Sequence, residues 1–339
     1  MINLISDTVT KPTPDMLESM MKARVGDDVF GEDPTVNALE ERLARMFDHE
    51  AALFCPSGTM TNQIALKCNT QPLDEVICDI TSHIYQYEVA GYAFNSGIGV
   101  NLLHGDHGKI DPDMITAAIK PEFDWLPRTS LVSIENSCNR GGGSYYTLEE
   151  MRAISELARS HSLRIHLDGA RLFNVLVETG DDTKEVGPLF DTISICLSKG
   201  LGAPVGSVLI GSKDLIHQAR RYRKVMGGGM RQVGILAAAG LYALDHNVDR
   251  LKTDNERAKK IGECLDRQGY VDRVRPVQTN IVIFDLKENV PAEDLVDVLK
   301  SKGINSTTFG ANSVRFVTHL DLSEKDIEKV LEVLDSIDL

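Results

Sequence analysis

Two strand-like segments of the chain each end in a residue that can do chemistry. The apolar run Ile193–Leu197 leads through a serine to Lys199, and the run Leu163–Leu167 leads directly to Asp168. A lysine at the end of a buried strand is costly to desolvate, yet desolvation lowers the pKa of an amine and makes it a nucleophile for carbonyl carbon. A strand-end lysine can also extend its amine to water, so this segment alone leaves both interpretations open.

Asp168 favours a chemical role for Lys199. The carboxyl ends of parallel strands meet at one edge of a sheet, where open α/β proteins bind ligands. The aldehyde of pyridoxal phosphate (PLP) condenses with a lysine amine, and its pyridine nitrogen needs a carboxylate to stay protonated. We therefore predict that Lys199 and Asp168 bind PLP. Arg171, one turn further on, is placed to bind a substrate carboxylate in bidentate fashion.

A third segment has the composition of a phosphate site. The strand-like run Ala51–Phe54 leads to Ser57, Gly58 and Thr59, after which a helical pattern begins. Exposed N–H groups at a helix start and neighbouring hydroxyls can hold a phosphate. The segment is neither a GxGxxG nor a Walker sequence, and plain helix capping by Ser57 is the alternative.

Together these residues resemble the L-threonine aldolase family, low-specificity type, whose members are PLP enzymes with the aspartate-aminotransferase-like fold, also called fold type I. The resemblance extends over almost the whole chain. It is carried by Ser6–Thr10, Val25–Pro34, Pro56–Thr59, His83, Glu135–Asn136, His166–Arg171, Leu197–Ser207, Gly227–Gln232 and Val314–His319.

The resemblance also implies a role for residues that show no chemistry by themselves. His83 would stack on the PLP ring and take part in acid–base steps with Lys199, and Ser6 and Arg315 would join Arg171 at the substrate carboxylate. Arg231 would complete the cofactor site, from its own or a neighbouring subunit. The implied cofactor-binding set is Ser57, Gly58, Thr59, His83, Asp168, Arg171, Lys199 and Arg231, and no metal is expected.

Composition excludes several classes of partner. A net charge of −14 and a pI near 5.1 argue against binding to nucleic acid or to an anionic membrane. No apolar stretch reaches membrane-spanning length, and the first residues lack the pattern of a signal peptide. The six cysteines form no CxxC pair, which favours a reducing cytoplasm over a disulfide framework.

Seven short apolar runs alternate with helical patterns, which predicts a mostly parallel seven-stranded sheet covered on both faces. We place the large PLP-binding domain, with the N-terminal segment, at residues 1–245. A small C-terminal α+β domain follows at residues 246–339. The predicted strands are 51–54, 75–78, 100–103, 131–134, 164–167, 192–197 and 207–210.

The resemblance implies retro-aldol cleavage of L-threonine or L-allo-threonine to glycine and acetaldehyde, with other β-hydroxy-α-amino acids as further substrates. The base would be His83 or a water that it holds, and the assembly would be a homotetramer built from catalytic dimers. A racemase of the same fold, with Lys199 and His83 as its two bases, is one alternative. A β-eliminating lyase and a non-catalytic binding protein are the others.

Three positions depart from the family pattern. Cys138 and Ile5 stand where the family has a histidine and an arginine, and Trp125 is the nearest counterpart of a histidine that contacts the substrate hydroxyl. Loss of one neutral hydrogen bond costs about 0.5–1.5 kcal/mol, or roughly 2- to 12-fold. We therefore expect weak discrimination between threonine and allo-threonine, with a strict L configuration fixed by Arg171 and Lys199.

Overall fold

The computed structural model describes residues 1–338, which form thirteen β-strands and thirteen α-helices. The strands are β1 Ile2–Asn3, β2 Ala51–Cys55, β3 Asp74–Asp79, β4 Gly99–Leu103, β5 Arg128–Glu135, β6 Arg164–Gly169, β7 Thr192–Cys196, β8 Ser207–Gly211, β9 Val271–Val274, β10 Ile281–Leu286, β11 Ile304–Asn305, β12 Thr307–Thr308 and β13 Ser313–Val317. The helices are α1 Pro14–Met21, α2 Pro34–Met46, α3 Gly58–Asn69, α4 His83–Gln86, α5 Pro112–Ala118, α6 Leu148–Ser160, α7 Leu172–Thr179, α8 Thr183–Val186, α9 Lys213–Val225, α10 Gly234–His246, α11 Leu251–Leu265, α12 Ala292–Ser301 and α13 Glu324–Asp335.

The seven predicted apolar runs form one sheet, with the strand order β2-β8-β7-β6-β5-β3-β4. Strand β8 runs antiparallel to both β2 and β7, and the other neighbours are parallel. Strands β3, β7 and β8 are buried along their full length, as expected for strands covered on both faces. The predicted mostly parallel seven-stranded sheet is therefore confirmed.

The helix starts follow from the capping residues in the sequence. Asp33 accepts hydrogen bonds from the first N–H groups of α2, and Pro34 occupies the first helical position. Thr147 and Glu150 form a reciprocal capping box at the start of α6. These caps determine where α2 and α6 begin, and so they determine where the preceding loops end.

The small domain has a four-stranded antiparallel sheet, ordered β12-β13-β10-β9, and α11 to α13 pack on its hydrophobic core. The first residues of the chain belong to this core: Ile2 and Leu4 are buried in it, and β1 pairs in parallel with β11. This pairing differs from our prediction, which places the N-terminal segment in the large domain. A two-residue strand has no periodicity that would reveal its partner.

Along residues 1–338, we find no helix that combines the length and the apolar composition needed to cross a membrane.

Candidate active site

A cavity of about 220 Å³ lies at the carboxyl edge of the large sheet. Its walls come from segments that follow β2, β5, β6 and β7, together with α3 and α4. Of the residues predicted from the sequence, the cavity brings together Ser57, Gly58, Thr59, His83, Asp168, Arg171 and Lys199, and it adds Asn62 and Glu135.

Lys199 follows β7 after two further residues, Leu197 and Ser198, and is half-buried at the cavity wall. Its backbone carbonyl accepts a hydrogen bond from the Thr10 hydroxyl at 3.2 Å. Its positive charge lies close enough to Asp7 to help lower the pKa of that carboxyl. The amine is thus held near a carboxylate while its side chain still opens into the cavity.

Asp168, at the end of β6, is 3% exposed. Its Oδ1 accepts from the backbone N–H of Ala170 at 3.1 Å, and its Oδ2 accepts from the Asn62 amide at 2.7 Å. Within residues 1–338, neither a lysine nor an arginine forms an ion pair with Asp168. Neutral donors therefore hold this carboxylate, and its charge is left for a cation that enters the cavity.

His83 begins α4 and lies against two buried carboxylates. Its Nδ1 is 2.8 Å from Oε1 of Glu88, and its backbone N–H donates to Oε2 of Glu135 at 2.7 Å. Burial alone would lower the pKa of His83, but the Glu88 hydrogen bond and the charges of Asp168, Glu88 and Glu135 raise it. One side-chain nitrogen or oxygen atom from each of His83, Glu88 and Asp168 lies within 4.8 Å of the others, and His83 and Asp168 of this group line the cavity.

The segment Ser57–Thr59 both caps a helix and lines the cavity. The Ser57 hydroxyl caps α3 by accepting from the Met60 N–H at 3.2 Å, and Ser57 and Thr59 also line the cavity. A Cβ on Gly58 would lie 2.6 Å from the sulfur of Cys196, so only glycine lets this turn pack against β7. The N–H groups of Gly58 and Thr59, at the start of α3, have no partner inside the helix and lie at the cavity.

Arg171 differs from expectation in what its guanidinium binds. Its Nε and Nη2 form a bidentate ion pair with Asp7, each at 2.7 Å, which leaves the second N–H of Nη2 and both N–H groups of Nη1 for a substrate carboxylate. Burial would raise the pKa of Asp7, but Arg171, Lys199 and Asn280 lower it to about 2.

Ser6 and Arg315 adjoin Arg171 but do not line the 220 Å³ cavity. The Ser6 hydroxyl caps a short turn by accepting from the Thr8 N–H at 3.2 Å. Arg315, in β13, donates to Oδ1 of Asn139 at 3.0 Å. Burial and then the charge of Arg171 lower the pKa of Arg315, so two guanidinium groups from the two domains lie near each other.

Arg231 is not brought to the cavity of its own chain. Its guanidinium pairs with Asp27 at 2.7 Å and lies over the ring of Phe30. Two positions that depart from the family pattern are also outside the cavity. Trp125 is 75% exposed in the loop before β5, and Cys138 is buried with its thiol 3.0 Å from the carbonyl oxygen of Glu135.

Sequence reasoning missed Asn62, Glu88 and Asp7. Asn62 lies four residues after Gly58 in a predicted helix, and i,i+4 residues share a helix face, so this spacing could have placed it at the cavity. Asp7 lies within the segment Ser6–Thr10, but nothing in that segment indicates what its carboxylate binds. Glu88 lies in an irregular loop and carried no signal.

The sheet order, the strand-end lysine and the carboxylate on the neighbouring strand define an α/β protein of PLP-enzyme fold type I. The family model described as "Beta-eliminating lyase" matches residues 3–289. A low-specificity L-threonine aldolase from Escherichia coli is 42% identical and covers 97% of each chain. The chain therefore belongs to the β-eliminating lyase family, in the group of the low-specificity L-threonine aldolases.

Two further relatives agree. A low-specificity L-threonine aldolase from Arabidopsis thaliana is 38% identical, covering 97% of this chain and 94% of its own. A threonine aldolase structure from Leishmania major superposes with a TM-score of 0.86 over 99% of both chains, at 23% identity, which shows the shared fold.

Proposed function

We propose that this protein is a PLP-dependent aldolase that cleaves L-threonine and L-allo-threonine to glycine and acetaldehyde. One observation carries the proposal: Lys199 and Asp168, which follow the neighbouring strands β7 and β6, open into the same cavity as the start of α3. The relatives named as low-specificity L-threonine aldolases match over nearly their full length.

The donor set of the cavity fits PLP. Lys199 offers an amine for the aldehyde, Asp168 a carboxylate for the ring nitrogen, and the segment Ser57–Thr59 offers N–H and hydroxyl groups for the phosphate. When bound, PLP supplies an electron-accepting ring that stabilises the negative charge left on Cα as the Cα–Cβ bond breaks. The uncompensated charge of Asp168 suits the positive ring nitrogen.

His83 is placed to take the proton of the β-hydroxyl group. Its Nδ1 is engaged by Glu88, so Nε2 is the ring nitrogen that remains for a substrate or for a water. The raised pKa of His83 makes it a stronger base for that proton. Glu88 thus orients the imidazole and stabilises the charge that it gains.

The substrate carboxylate would lie between the two domains. Arg171 offers Nη1, Arg315 adds a second guanidinium from the small domain, and Ser6 stands beside Asp7, which holds Arg171 in place. Because Asp7 takes Nε of Arg171, a substrate carboxylate would bind at the Nη1–Nη2 end of the guanidinium, with Arg315 as a second cationic partner. Binding of substrate would therefore join the domains.

We also place the enzyme in the cytoplasm, as a homotetramer built from catalytic dimers and with no nucleic-acid partner. The six cysteines are free, which supports a reducing compartment. Large apolar side chains are exposed at helix ends and in connecting segments, which supports an interface between subunits; they include Met21, Phe30, Val89, Phe94 and Val225. Arg231, remote from its own cavity, would reach that of a second subunit.

The function is tested by incubating the PLP-loaded protein with L-threonine, L-allo-threonine and their D-isomers. Acetaldehyde and racemised amino acid are measured in the same samples. We expect acetaldehyde and glycine from the L-isomers only. Racemised amino acid without acetaldehyde would identify a racemase, and a protein that binds no PLP would contradict the proposal.

Shared active sites are tested by mixing inactive subunits. If Arg231 serves a second subunit, then Lys199→Ala and Arg231→Ala proteins should regain activity when their subunits exchange. An unchanged, inactive mixture would assign Arg231 to its own chain, and a fully active monomer would contradict the oligomer.

A further inference from the structure

Asn62 joins the two carboxylates that face the cofactor ring and the catalytic histidine. Its side-chain nitrogen donates to Oδ2 of Asp168 at 2.7 Å and to Oε1 of Glu88 at 2.8 Å. Its oxygen lies 3.2 Å from Nε2 of His166. All four side chains are at least 95% buried, so the amide has no solvent to complete its hydrogen bonds.

One orientation of the Asn62 amide satisfies these neighbours. Carboxylates only accept hydrogen bonds, so both N–H groups point to them, and the amide oxygen must then accept from Nε2 of His166. Burial lowers the pKa of His166 to about 4, which leaves one proton on the ring, at Nε2. Nδ1 then accepts from the nearer oxygen of Thr192, the hydroxyl, at 2.9 Å.

The chain of donors therefore runs in one direction. Asn69 donates to the Thr192 hydroxyl at 3.0 Å, the hydroxyl donates to His166, His166 donates to Asn62, and Asn62 donates to the two acids. Flipping the amide would set its oxygen against two carboxylates. Because such groups polarise one another in a buried network, each hydrogen bond stabilises the orientation of the next side chain.

We propose that His166 and Asn62 are positioning residues that direct the Asp168 carboxylate to the cofactor ring and the Glu88 carboxylate to His83. This inference rests on the proposed function. Two buried carboxylates a few ångströms apart would otherwise share a proton, and the relevant oxygens lie within 4.8 Å of each other and of His83. With one N–H for each acid, Asp168 stays available to the ring nitrogen and Glu88 to His83.

The test is the pH dependence of PLP binding, which needs no turnover. The dissociation constant of PLP is measured by equilibrium dialysis from pH 5.5 to 9 for the wild type and for Asn62→Leu. With the bridge removed, one acid takes up a proton. We expect the pH midpoint of PLP binding to rise by about one unit, which weakens binding roughly tenfold below that midpoint.

A second substitution distinguishes this role from a purely structural one. In the double variant Asn62→Leu/Glu88→Gln, Asp168 has lost the carboxylate with which it would share a proton, while Glu135 remains in the cavity as in the wild type, so the midpoint should return toward that of the wild type. A structural role predicts weaker binding at every pH and no such recovery. Either of those results would overturn the inference.

His166 supplies an independent pair of variants, which also carries the test if Asn62→Leu does not fold. Glutamine can place an N–H near the position of Nε2, whereas phenylalanine cannot. We expect His166→Phe to raise the midpoint and His166→Gln to keep it within about 0.3 units. Equal midpoints in the two variants would contradict the inference.

His49→Phe is the matched control. His49 is a largely buried histidine that contacts the carbonyl oxygen of Gly187 at 3.1 Å and does not line the cavity, so its loss should leave the midpoint unchanged. A wild-type protein that binds no PLP at any pH would instead reject the proposed function.

Discussion

The two edges of the large sheet differ in the partners of their buried and half-buried acids. At the amino edge, three acids at or beside strand starts each pair with a cation, in the pairs Asp74–Arg128, Glu75–Lys120 and Asp191–Arg164. At the carboxyl edge, the acids are held by amide N–H groups, backbone N–H groups and a histidine, namely Asp168, Glu88 and Glu135.

The difference shows in the pKa values. At the amino edge, hydrogen bonds from Arg128 outweigh burial and lower the pKa of Asp74. At the carboxyl edge, burial and then the charge of Asp168 raise the pKa of Glu135. Buried charge without a counter-ion is costly, and here it collects around one cavity. The comparison indicates that this edge is built to receive a cation, and the amino edge to stabilise the fold.

The largest expected effect comes from exchanging a lysine at each edge. Lys199→Ala removes the amine that holds the cofactor, so cleavage of L-threonine should fall by roughly 10³-fold or more, and the visible absorbance of the purified protein should be lost. Lys120→Ala removes only a partner of Glu75 and should leave both unchanged. Equal losses in acetaldehyde production for the two variants would contradict the assignment of the site to the carboxyl edge.

An acid at each edge gives the next test. Asp168→Asn cannot stabilise a protonated ring nitrogen, so kcat should drop by about 10²-fold while the phosphate contacts still retain some cofactor. Asp74→Asn weakens an ion pair with Arg128 and should change kcat little. It should instead lower the free energy of unfolding by about 1–3 kcal/mol. Near-normal turnover by Asp168→Asn would remove it from the role proposed here.

Asp7 is the exception that sharpens the comparison, because it is a carboxyl-edge acid with a counter-ion. Asp7→Asn leaves Arg171 buried and unpaired, which should cost about 3–5 kcal/mol of unfolding free energy at pH 7. Because the folded pKa is about 2, below the unfolded value, Asp7 contributes roughly 2 kcal/mol that is present above pH 4. That contribution is lost as the pH falls toward 2.

Urea unfolding of the wild type and of Asp7→Asn from pH 2 to 7 checks this dependence. The difference between the two proteins should shrink below pH 4. A difference independent of pH would mean that the Asp7 carboxylate is not the stabilising group.

The smallest expected effect concerns the β-hydroxyl group. Along residues 1–338, His83 is the histidine that lines the cavity, and Trp125 lies at the opposite edge of the sheet. We expect kcat/KM for L-threonine and L-allo-threonine to differ by less than about tenfold, the scale of one neutral hydrogen bond. A preference above a hundredfold would show that another residue reads the hydroxyl.

The sheet could be predicted from the sequence because most of its strands are buried apolar runs of ordinary length. Lys199 and Asp168 could be predicted for a related reason. A charged residue at the end of a buried apolar run is unusual, and so it indicates a functional role. Arg171 was placed at the cavity, but its partner Asp7 lies 164 residues away in sequence. No local pattern encodes a pairing of that kind.

The hydrogen-bond partners of polar residues that become buried through tertiary contacts were not predictable. Asn62 and Glu88 have the composition of surface positions, and only the packed structure shows that they face other polar groups instead of water. Arg231 illustrates the reverse case, because its motif suggested the cofactor site while its side chain pairs with Asp27. The domain to which β1 belongs was missed because its two hydrogen-bonded residues are too few to form a pattern.

The first ten residues connect the small domain to the backbone of the active-site lysine. Leu4 exchanges backbone hydrogen bonds with Asn305 and Val317 of the small domain, and a few residues later Thr10 bonds to the carbonyl oxygen of Lys199. This short segment acts as a mechanical linkage between the small domain and the lysine backbone. A rotation of the small domain would therefore be transmitted to the backbone of Lys199 and would change the position of its amine.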